Sequence, residues 1–267
     1  IALSIGYTHF ESLLLGANEM DQHFSKTEFE ENIPVIMALI SIWYNNFFDS
    51  QTEAIIPYSQ HLEELVPYLQ QAIMESNGKQ IDRLGKTINY QTGTIIWGAT
   101  GTNAQHAFFQ LLHQGTKFVP TDFIGFKHSV FKDENHDKKL MANFFAQTKA
   151  LLIGKTDKEV VQELQDIDRK KDNIEFLYPF KVFEGNRPSN TLLFSKLSPR
   201  VLGKLLALYE HKLFVQGVIW NIFSYDQMGV ELGKQLSSSL LKEIDTKKIS
   251  EDHDPSTKRL LEEYMSV

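Results

Sequence analysis

One histidine in this sequence lies where an enzyme could use it, at the junction of a predicted strand and a predicted helix. His106 follows an apolar, β-branched run at 94–97 and a turn that contains Gly98 and Gly101, and this pattern predicts one strand that leads into one helix. Parallel α/β sheets bind ligands at such junctions, beyond the carboxyl end of the strand. We expect His106 in the first turn of the helix, where the positive end of the helix dipole favours a neutral imidazole that can accept or relay a proton.

A second histidine could be its partner in a metal site. His113 lies seven residues after His106 and could share its helix face, but the pair lacks a third ligand at a known spacing. The sequence therefore does not favour a metal site. An ordinary packing role is the better interpretation of His113, and such a role also remains open for His106.

A carboxylate and an ammonium group are the other candidates. Glu75 lies at the predicted end of a helix, beside an Asn-Gly pair that is a strong turn signal; the alternative is an exposed carboxylate without a catalytic role. Lys234 lies in a predicted amphipathic helix, and Gly229 and Gly233 before it would let a ligand or another backbone come close. A solvated lysine is the alternative for Lys234.

Composition excludes several classes of protein. The 267 residues are 42% apolar and 23% charged, which is ordinary for one large globular domain or two smaller ones. The net charge of -7 argues against binding to nucleic acid or to an anionic membrane, because both need a basic face. The absence of cysteine excludes disulfides, thiol nucleophiles and cysteine-ligated metals. No apolar run approaches the ~20 residues that span a bilayer, and we expect a soluble, cytoplasmic protein.

Short apolar runs alternate with helical patterns along the chain. This alternation predicts an α/β fold with a mainly parallel sheet wrapped by helices. The predicted strands are 53–57, 94–97, 117–123 and 191–194. The predicted helices are 10–20, 27–47, 59–74, 102–114, 140–152, 158–165, 198–212 and 226–241.

Caps and helix breakers bound several of these elements. Thr27 and Glu30 have the spacing of a capping box, Pro67 is expected to kink or split its helix, and Ser224 or Asp226 would cap the last helix. The type of the apolar run 213–222 stays open. The segments predicted to be irregular are the charged stretches 133–139 and 166–175, the glycine-centred turn 181–190 and the mainly polar tail from 247.

Six blocks, in order and over essentially the whole chain, match the pattern of one enzyme family. They are Met74-Glu-Ser-Asn-Gly-Lys79, Gly101-Thr-Asn-Ala-Gln-His106, His113-Gln-Gly-Thr-Lys117, Lys181-Val-Phe-Glu-Gly-Asn-Arg-Pro188, Tyr209-Glu-His-Lys212 and Tyr225-Asp-Gln-Met-Gly-Val-Glu-Leu-Gly-Lys234. In these blocks the chain resembles the phosphoglucose isomerases, and the last block resembles a signature of that family. The resemblance implies a sugar-isomerase (SIS-type) α/β domain with a C-terminal helical arm.

The resemblance also implies an activity and a set of site residues. The family interconverts glucose 6-phosphate and fructose 6-phosphate through a cis-enediol(ate), which needs a base to move a proton between C1 and C2. The position of that base is Glu75 here, while His106 and Lys234 would serve ring opening and the hydroxyl protons. Gln71, one turn before the base, and Gln227 would contact the substrate. No metal and no organic cofactor is implied.

Three substitutions depart from the family pattern. Ala99 stands where a second glutamate is usual, and we expect altered support of the site rather than lost chemistry. Ala104 replaces a common glycine and Met228 a common tryptophan, at positions that are expected to pack.

The resemblance further implies that this chain is the carboxyl-terminal half of a longer protein. Residues 1–48 would link to a missing amino-terminal half, 49–223 would form the second sugar-isomerase domain, and 224–267 would form the C-terminal helical segment. A Gly-Gly-Arg block, whose arginine stabilises the enediolate, and a phosphate-binding loop would lie upstream of Ile1. Because that arginine and the phosphate loop would both be missing, we expect no isomerase activity from these residues alone. Family members are also homodimers with shared active sites.

A second hypothesis belongs to another class of function. A module of the same fold could bind a sugar phosphate as a regulatory sensor without converting it. Because the catalytic residue types are all present at Glu75, His106 and Lys234, the sequence favours the enzyme. An extracellular role is neither supported nor excluded.

Overall fold

The computed structural model describes residues 1–131, 133–167 and 171–266. These form two compact units, one from Ile1 to Tyr225 and one from Asp226 onward. Each unit is described by itself below.

A four-stranded parallel sheet lies at the centre of the first unit. Its strands are β1 (Thr52–Pro57), β2 (Ile95–Gly98), β3 (Thr121–His128) and β4 (Ser189–Lys196), in the spatial order β2-β1-β3-β4. Every neighbouring pair is parallel, so the carboxyl ends of all four strands lie at one edge of the sheet. The predicted α/β fold is confirmed. The strand that follows β1, β2, lies on one side of it, and β3 lies on the other side. Parallel sheets bind ligands where the strand order reverses in this way, so the carboxyl end of β1 is the expected place for a ligand.

Helices cover both faces of this sheet. Those of the first unit are α1 (Ala2–Ile5), α2 (Tyr7–Lys26), α3 (Ile33–Phe47), α4 (Leu65–Leu69), α5 (Gly101–Ala107), α6 (Phe109–Gln114), α7 (Glu134–Ile153), α8 (Asp157–Asp166), α9 (Lys171–Leu177) and α10 (Pro199–Ile219). Short 3-10 turns lie at Gln60–Leu62 and Tyr178–Phe180, and a π-helix covers Gln70–Glu75.

The two faces of the sheet belong to two hydrophobic cores. On one face, Ile55 and Ile124 pack with Leu205 and Leu208 of α10, and α10 also packs against α2 and α3. On the other face, a second cluster is built around aromatic rings. It contains Ile56, Phe109, Phe123 and Phe144. Strand β1 is buried on both faces, as its continuous apolar run predicts.

The predicted start of the third helix is wrong. Thr27 ends α2, and α3 begins at Ile33 with Asn32 as its N-cap, whose side chain accepts from the amide of Val35. A helix through the predicted capping box would put Pro34 in its interior, where the missing N–H and the ring disrupt the helix. Starting at Ile33 places the proline in the first turn, where it is tolerated.

The predicted helix 59–74 is divided, which was one of the two outcomes expected from Pro67. This proline lies in the first turn of the short helix α4, and the chain then widens into the π-helix.

The strand predicted at 117–123 begins at Thr121 instead, because Pro120 has no N–H to donate to a sheet. It continues to His128.

The charged segment 133–139 was predicted as a loop and is helical. Asp133 caps α7 by accepting from the amide of His136, and Glu134 and Asp137 lie in the first turn, where negative charge is favourable. The predicted connection 166–175 falls partly outside the described residues. Within the described part, α9 begins at Lys171.

The apolar run 213–222, whose type the sequence left open, is mostly helix. Helix α10 continues through it to Ile219 without a break. Its start agrees with the prediction, since Ser198 is the N-cap and Pro199 the first helical residue.

The described part of the second unit, up to residue 266, contains two α-helices. A 3-10 turn at Met228–Val230 precedes α11 (Glu231–Thr246), and α12 (Pro255–Met265) follows. Neither Ser224 nor Asp226 caps α11, since the residue before it is Val230. Helix α12 was not predicted, although Asp254 and Pro255 are a strong start signal.

One buried ionic cluster joins α10 to the sheet. The ammonium of Lys212 contacts a carboxylate oxygen of Glu53 on β1 and lies 3.7 Å from Asp122 on β3. Tyr209 donates to Asp122 over 3.0 Å, and Asn190 of β4 donates to its other oxygen over 2.7 Å. The charged side chains are at most 4% exposed. Burial of charges is tolerated only where partners satisfy them in this way.

The cluster has one cation for two carboxylates. Burial and the nearby Asp122 carboxylate raise the pKa of Glu53 to about 7, although Lys212 acts to lower it. Burial alone would lower the pKa of Lys212, but the two carboxylates raise it above its usual value.

Among the described residues, no helix is both long and apolar enough to cross a membrane.

Replacing the buried cation should destabilise the intact protein strongly. We expect Lys212→Met to lower the free energy of unfolding by about 3–5 kcal/mol, because two buried carboxylates lose their shared partner. Lys138→Met is the matched control, since Lys138 is 79% exposed and 3.8 Å from Glu134; its effect should stay within about 0.5 kcal/mol. Urea denaturation measures both, and equal effects would contradict the importance of the cluster.

The raised pKa of Glu53 gives a dependence of stability on pH. The folded state holds this proton more tightly than the unfolded state, so the contribution is full below about 4.5 and is lost as pH rises through about 7. The wild type should therefore lose stability relative to Glu53→Gln over this interval. Parallel pH profiles of the two proteins in urea titrations would disprove it.

Candidate active site

Glu75 and Gln71 share one short irregular element, the π-helix that follows α4. Four residues apart, they lie on one side of it. Gln71 is exposed and Glu75 is half-buried, and neither side chain has a hydrogen bond or ion pair with a described residue. Single π-turns are rare and occur frequently at functional sites. An unpaired, half-buried carboxylate is available to act as a base.

The π-helix is fixed to the edge of the sheet. The side chain of Gln70 donates to the backbone carbonyl of Ile96 over 3.0 Å, and Ile96 lies on the edge strand β2. The carboxyl end of β2 leads through two residues to α5, the helix that carries His106. The segments carrying Glu75 and His106 are therefore both tied to β2.

The turn after Glu75 is closed by a lysine. The ammonium of Lys79 donates to the backbone carbonyls of Glu75 and Ser76, each over 2.7 Å. A cation at this position satisfies the last carbonyls of a helix and is favourable there. The alternative of an exposed carboxylate at a free helix end does not describe Glu75, which is neither fully exposed nor at an uncapped end.

His106 lies in the last turn of α5, so its predicted place in the first turn is wrong. The helix is only seven residues long, because Phe108 leaves the helical conformation and separates α5 from α6. His106 is therefore not near the positive end of the helix dipole. His106 is exposed and has no hydrogen bond, ion pair or ring contact with a described residue, which leaves its imidazole available to a ligand.

His113 has an ordinary role, as predicted. Its Nε2 lies 2.9 Å from the side-chain oxygen of Gln147, and its ring packs against Phe109 and Phe183. Among the described residues, no group of three or more histidines and carboxylates is arranged to hold a metal ion.

Both ends of α5 are held by packing. At the start, a Cβ added to Gly101 would lie 2.3 Å from a ring carbon of Tyr58, so only glycine lets the helix approach the ring of Tyr58 this closely. At the end, the ring of Phe108 packs edge-on against Trp97 of β2, with centroids 4.7 Å apart. This packing fixes the place of His106 relative to the sheet.

Lys234 and Gln227 belong to the second unit. Lys234 is exposed and lies 2.9 Å from Glu231 on its own helix, α11. A Cβ at Gly229 or Gly233 would meet no atom within 4 Å, so in this part of the chain no described group uses the space they leave. Gln227 is exposed before the 3-10 turn. Convergence of Lys234 with Glu75 and His106 stays a prediction.

A cavity that the sequence analysis missed lies at the carboxyl ends of β1 and β3. Its volume is about 260 Å³, and its lining includes Tyr58, Gln60, His61, His128 and Leu140. The hydroxyl of Tyr58 has no hydrogen-bond partner among the described residues, and burial raises its pKa to about 12. The predicted order of elements could have indicated this cavity. Tyr58 follows the end of β1 and His128 ends β3, and parallel sheets bind ligands at the carboxyl ends of their strands.

The contact between Gly101 and Tyr58 can be tested directly. Gly101→Ala should lower the free energy of unfolding by about 1–3 kcal/mol, because the new methyl group overlaps the Tyr58 ring. It should also speed hydrogen exchange in α5, since the helix must move. Gly233→Ala is the control, where open space predicts a gain of up to about 1 kcal/mol. Urea denaturation and amide exchange measure these effects, and a neutral Gly101→Ala would refute the steric argument.

Comparison with known proteins shows the family of this chain. Residues 1–261 match the model of the phosphoglucose isomerase family. A glucose-6-phosphate isomerase of Christiangramia forsetii is 65% identical over 266 residues, which are 100% of this chain and 49% of that protein. A crystal structure of a glucose-6-phosphate isomerase from Chlamydia trachomatis is 40% identical, with a TM-score of 0.80 over 97% of this chain and 46% of the other.

A more distant solved structure shares the fold alone. The hypothetical protein TT0462 from Thermus thermophilus is 22% identical, with a TM-score of 0.64 over 86% of this chain and 50% of that one. The chain spans about half the length of the relatives it matches. On the match over residues 1–261 and the 65% identity, this chain belongs to the phosphoglucose isomerase family.

Proposed function

We propose that this chain is the carboxyl-terminal half of a glucose-6-phosphate isomerase. The full protein interconverts glucose 6-phosphate and fructose 6-phosphate by ring opening and proton transfer, a step of glycolysis and gluconeogenesis. The observation that carries the proposal is Glu75, a half-buried carboxylate without a described partner, on a π-helix tied to the strand that leads to His106.

Glu75 is the base of the proton transfer. It takes the proton from the carbon next to the carbonyl and returns it to the neighbouring carbon, through a cis-enediol(ate). A carboxylate suits this step because it can hold the proton between the two transfers. The partly buried site of Glu75 limits access of water to the transferred proton.

His106 and Lys234 serve the oxygen atoms of the sugar. The imidazole of His106 handles the proton of the ring oxygen during ring opening, and Lys234 places a cation near oxygens that gain negative charge. Gln71 and Gln227 contact the substrate with their amide groups. The side chains of all four residues are exposed, and a ligand can reach each of them.

The rest of the active site comes from chain not present here. A Gly-Gly-Arg block would supply the arginine that stabilises the enediolate, and a loop would bind the phosphate. Residues 49–223 form the second sugar-isomerase domain, 1–48 link it to the amino-terminal half, and 224–267 form the C-terminal segment. The full protein acts in the cytoplasm as a homodimer with shared active sites.

The regulatory sensor is disfavoured by the same residues. A sensor needs affinity for a sugar phosphate but no base, and a half-buried carboxylate without a partner would weaken the binding of an anion. The presence of Glu75 together with His106 therefore favours turnover.

The base can be tested in the full-length protein. Glu75→Gln should keep binding of the sugar phosphate and lower isotope exchange at C2 by about 10²–10⁴-fold, the usual contribution of a general base. Glu28→Gln is the control, since Glu28 is exposed and lies outside the site. Exchange is followed by incorporation of solvent deuterium, and binding by calorimetry. Exchange at the wild-type rate in Glu75→Gln would refute the assignment.

A further inference from the structure

A buried amide lies two residues after the proposed base. Asn77 is 0% exposed, and its amide nitrogen donates to the backbone carbonyl of Leu213 over 3.0 Å, with the side-chain oxygen of Gln216 at 3.5 Å. Both partners lie on α10. The turn that carries Glu75 is thus attached to α10 by one side chain.

The oxygen of the same amide binds a different segment. Ser224 donates its hydroxyl proton to Oδ1 of Asn77 over 2.5 Å. Ser224 lies at the end of the first unit, and the chain continues from it to Gln227 and then Lys234. Asn77 therefore links the segment of the base to the start of the segment that carries the proposed cation.

Ser224 lies close against helix α10 at a glycine, and the residue after it has an unusual backbone conformation. A Cβ added to Gly217 on α10 would lie 1.9 Å from the hydroxyl of Ser224 and 3.3 Å from Oδ1 of Asn77. The next residue, Tyr225, has a positive φ of 65° and donates its hydroxyl to the backbone carbonyl of Glu210 over 3.1 Å. A non-glycine residue in this region is strained and is held there by its contacts.

The contact is also anchored in the core. Gln216 donates to the hydroxyl of Ser41 over 2.9 Å, and Ser41 donates to a carboxylate oxygen of Glu53 over 2.9 Å. Glu53 belongs to the buried ionic cluster around Lys212. A continuous set of hydrogen bonds therefore runs from the centre of the sheet to the turn after Glu75.

We propose that Asn77 is a positioning residue for the isomerase reaction, which fixes the turn carrying Glu75 to Ser224 and so sets where the chain leading to Gln227 and Lys234 begins. The inference rests on the proposed function. It goes beyond it by assigning the geometry of the site to one amide that does not touch the substrate. Small displacements of a catalytic group are costly, since about 1 Å can lower a rate by about 100-fold.

The test compares variants of the full-length protein by kcat and KM. Asn77→Ala should lower kcat per folded molecule by about 100-fold, with KM changed by less than about 3-fold, because groups that move the protons are displaced while phosphate anchoring is kept. The matched control is Asn32→Ala. Asn32 is also 0% exposed and uses both ends of its amide, at Phe24 and Val35; its loss should lower stability and leave kcat unchanged.

A double-mutant comparison separates positioning through Ser224 from general packing. Ser224→Ala alone should lower kcat by about 10-fold, and adding it to Asn77→Ala should change kcat by less than about 2-fold further. If the two substitutions instead lower kcat independently, so that their fold-changes multiply in the double mutant, the inference is overturned. If Asn77→Ala does not fold, Ser224→Ala is the test of the inference. A folded Ser224→Ala variant with the wild-type kcat would then overturn the positioning role of Asn77.

The outcome also distinguishes this inference from the proposed function. A full-length wild type without isomerase activity would refute the function and, with it, any positioning role. An active wild type in which Asn77→Ala and Asn32→Ala have the same kcat would refute only the role of Asn77.

Discussion

The first unit depends on a buried ammonium group placed between two carboxylates of adjacent strands. Lys212 reaches from α10 to Glu53 on β1 and Asp122 on β3, and all three side chains are essentially removed from water. Charges in such a place are stabilising only when every partner is present, because each ion has lost its hydration. The helix can therefore lie over the sheet in one register, and Tyr209, one turn earlier, binds the same Asp122.

This fixed register reaches the candidate site through the helix itself. Gln216 lies one turn after Lys212, a rise of about 6 Å along α10, and it meets Asn77 on one side and Ser41 on the other. Because the backbone hydrogen bonds of an α-helix fix the spacing of its residues along the axis, fixing Lys212 also fixes the position of Gln216. The turn after Glu75 is thus placed by its contacts with the core helix α10.

Two of the candidate residues, Glu75 and His106, lie on irregular parts of the fold. Glu75 ends a π-helix that follows a proline-started turn, and His106 ends a helix that stops at Phe108 after seven residues. Regular helices and the central strands supply the rigid frame, while these short elements present side chains with no described partner. Local irregularity has a cost in backbone energy, which the surrounding packing offsets.

The sequence by itself determined the alternation of strands and helices, the parallel sheet, and the residue types at Glu75, His106 and Lys234. Apolar periodicity carries this information, because it records which side of each element is buried. It placed β1 and the start of α10 correctly. The family resemblance came instead from the sequence blocks, which include Tyr209 and Lys212 but do not indicate what those two residues do.

Only the tertiary structure decided the division of α5 from α6 and the burial of Lys212. Phe108, where α5 ends, packs against Trp97 of β2, and Lys212 binds strands more than eighty residues away. Local propensity cannot tell a charged residue that faces water from one that is paired in the core, since the free energy of its burial comes from residues brought together by folding.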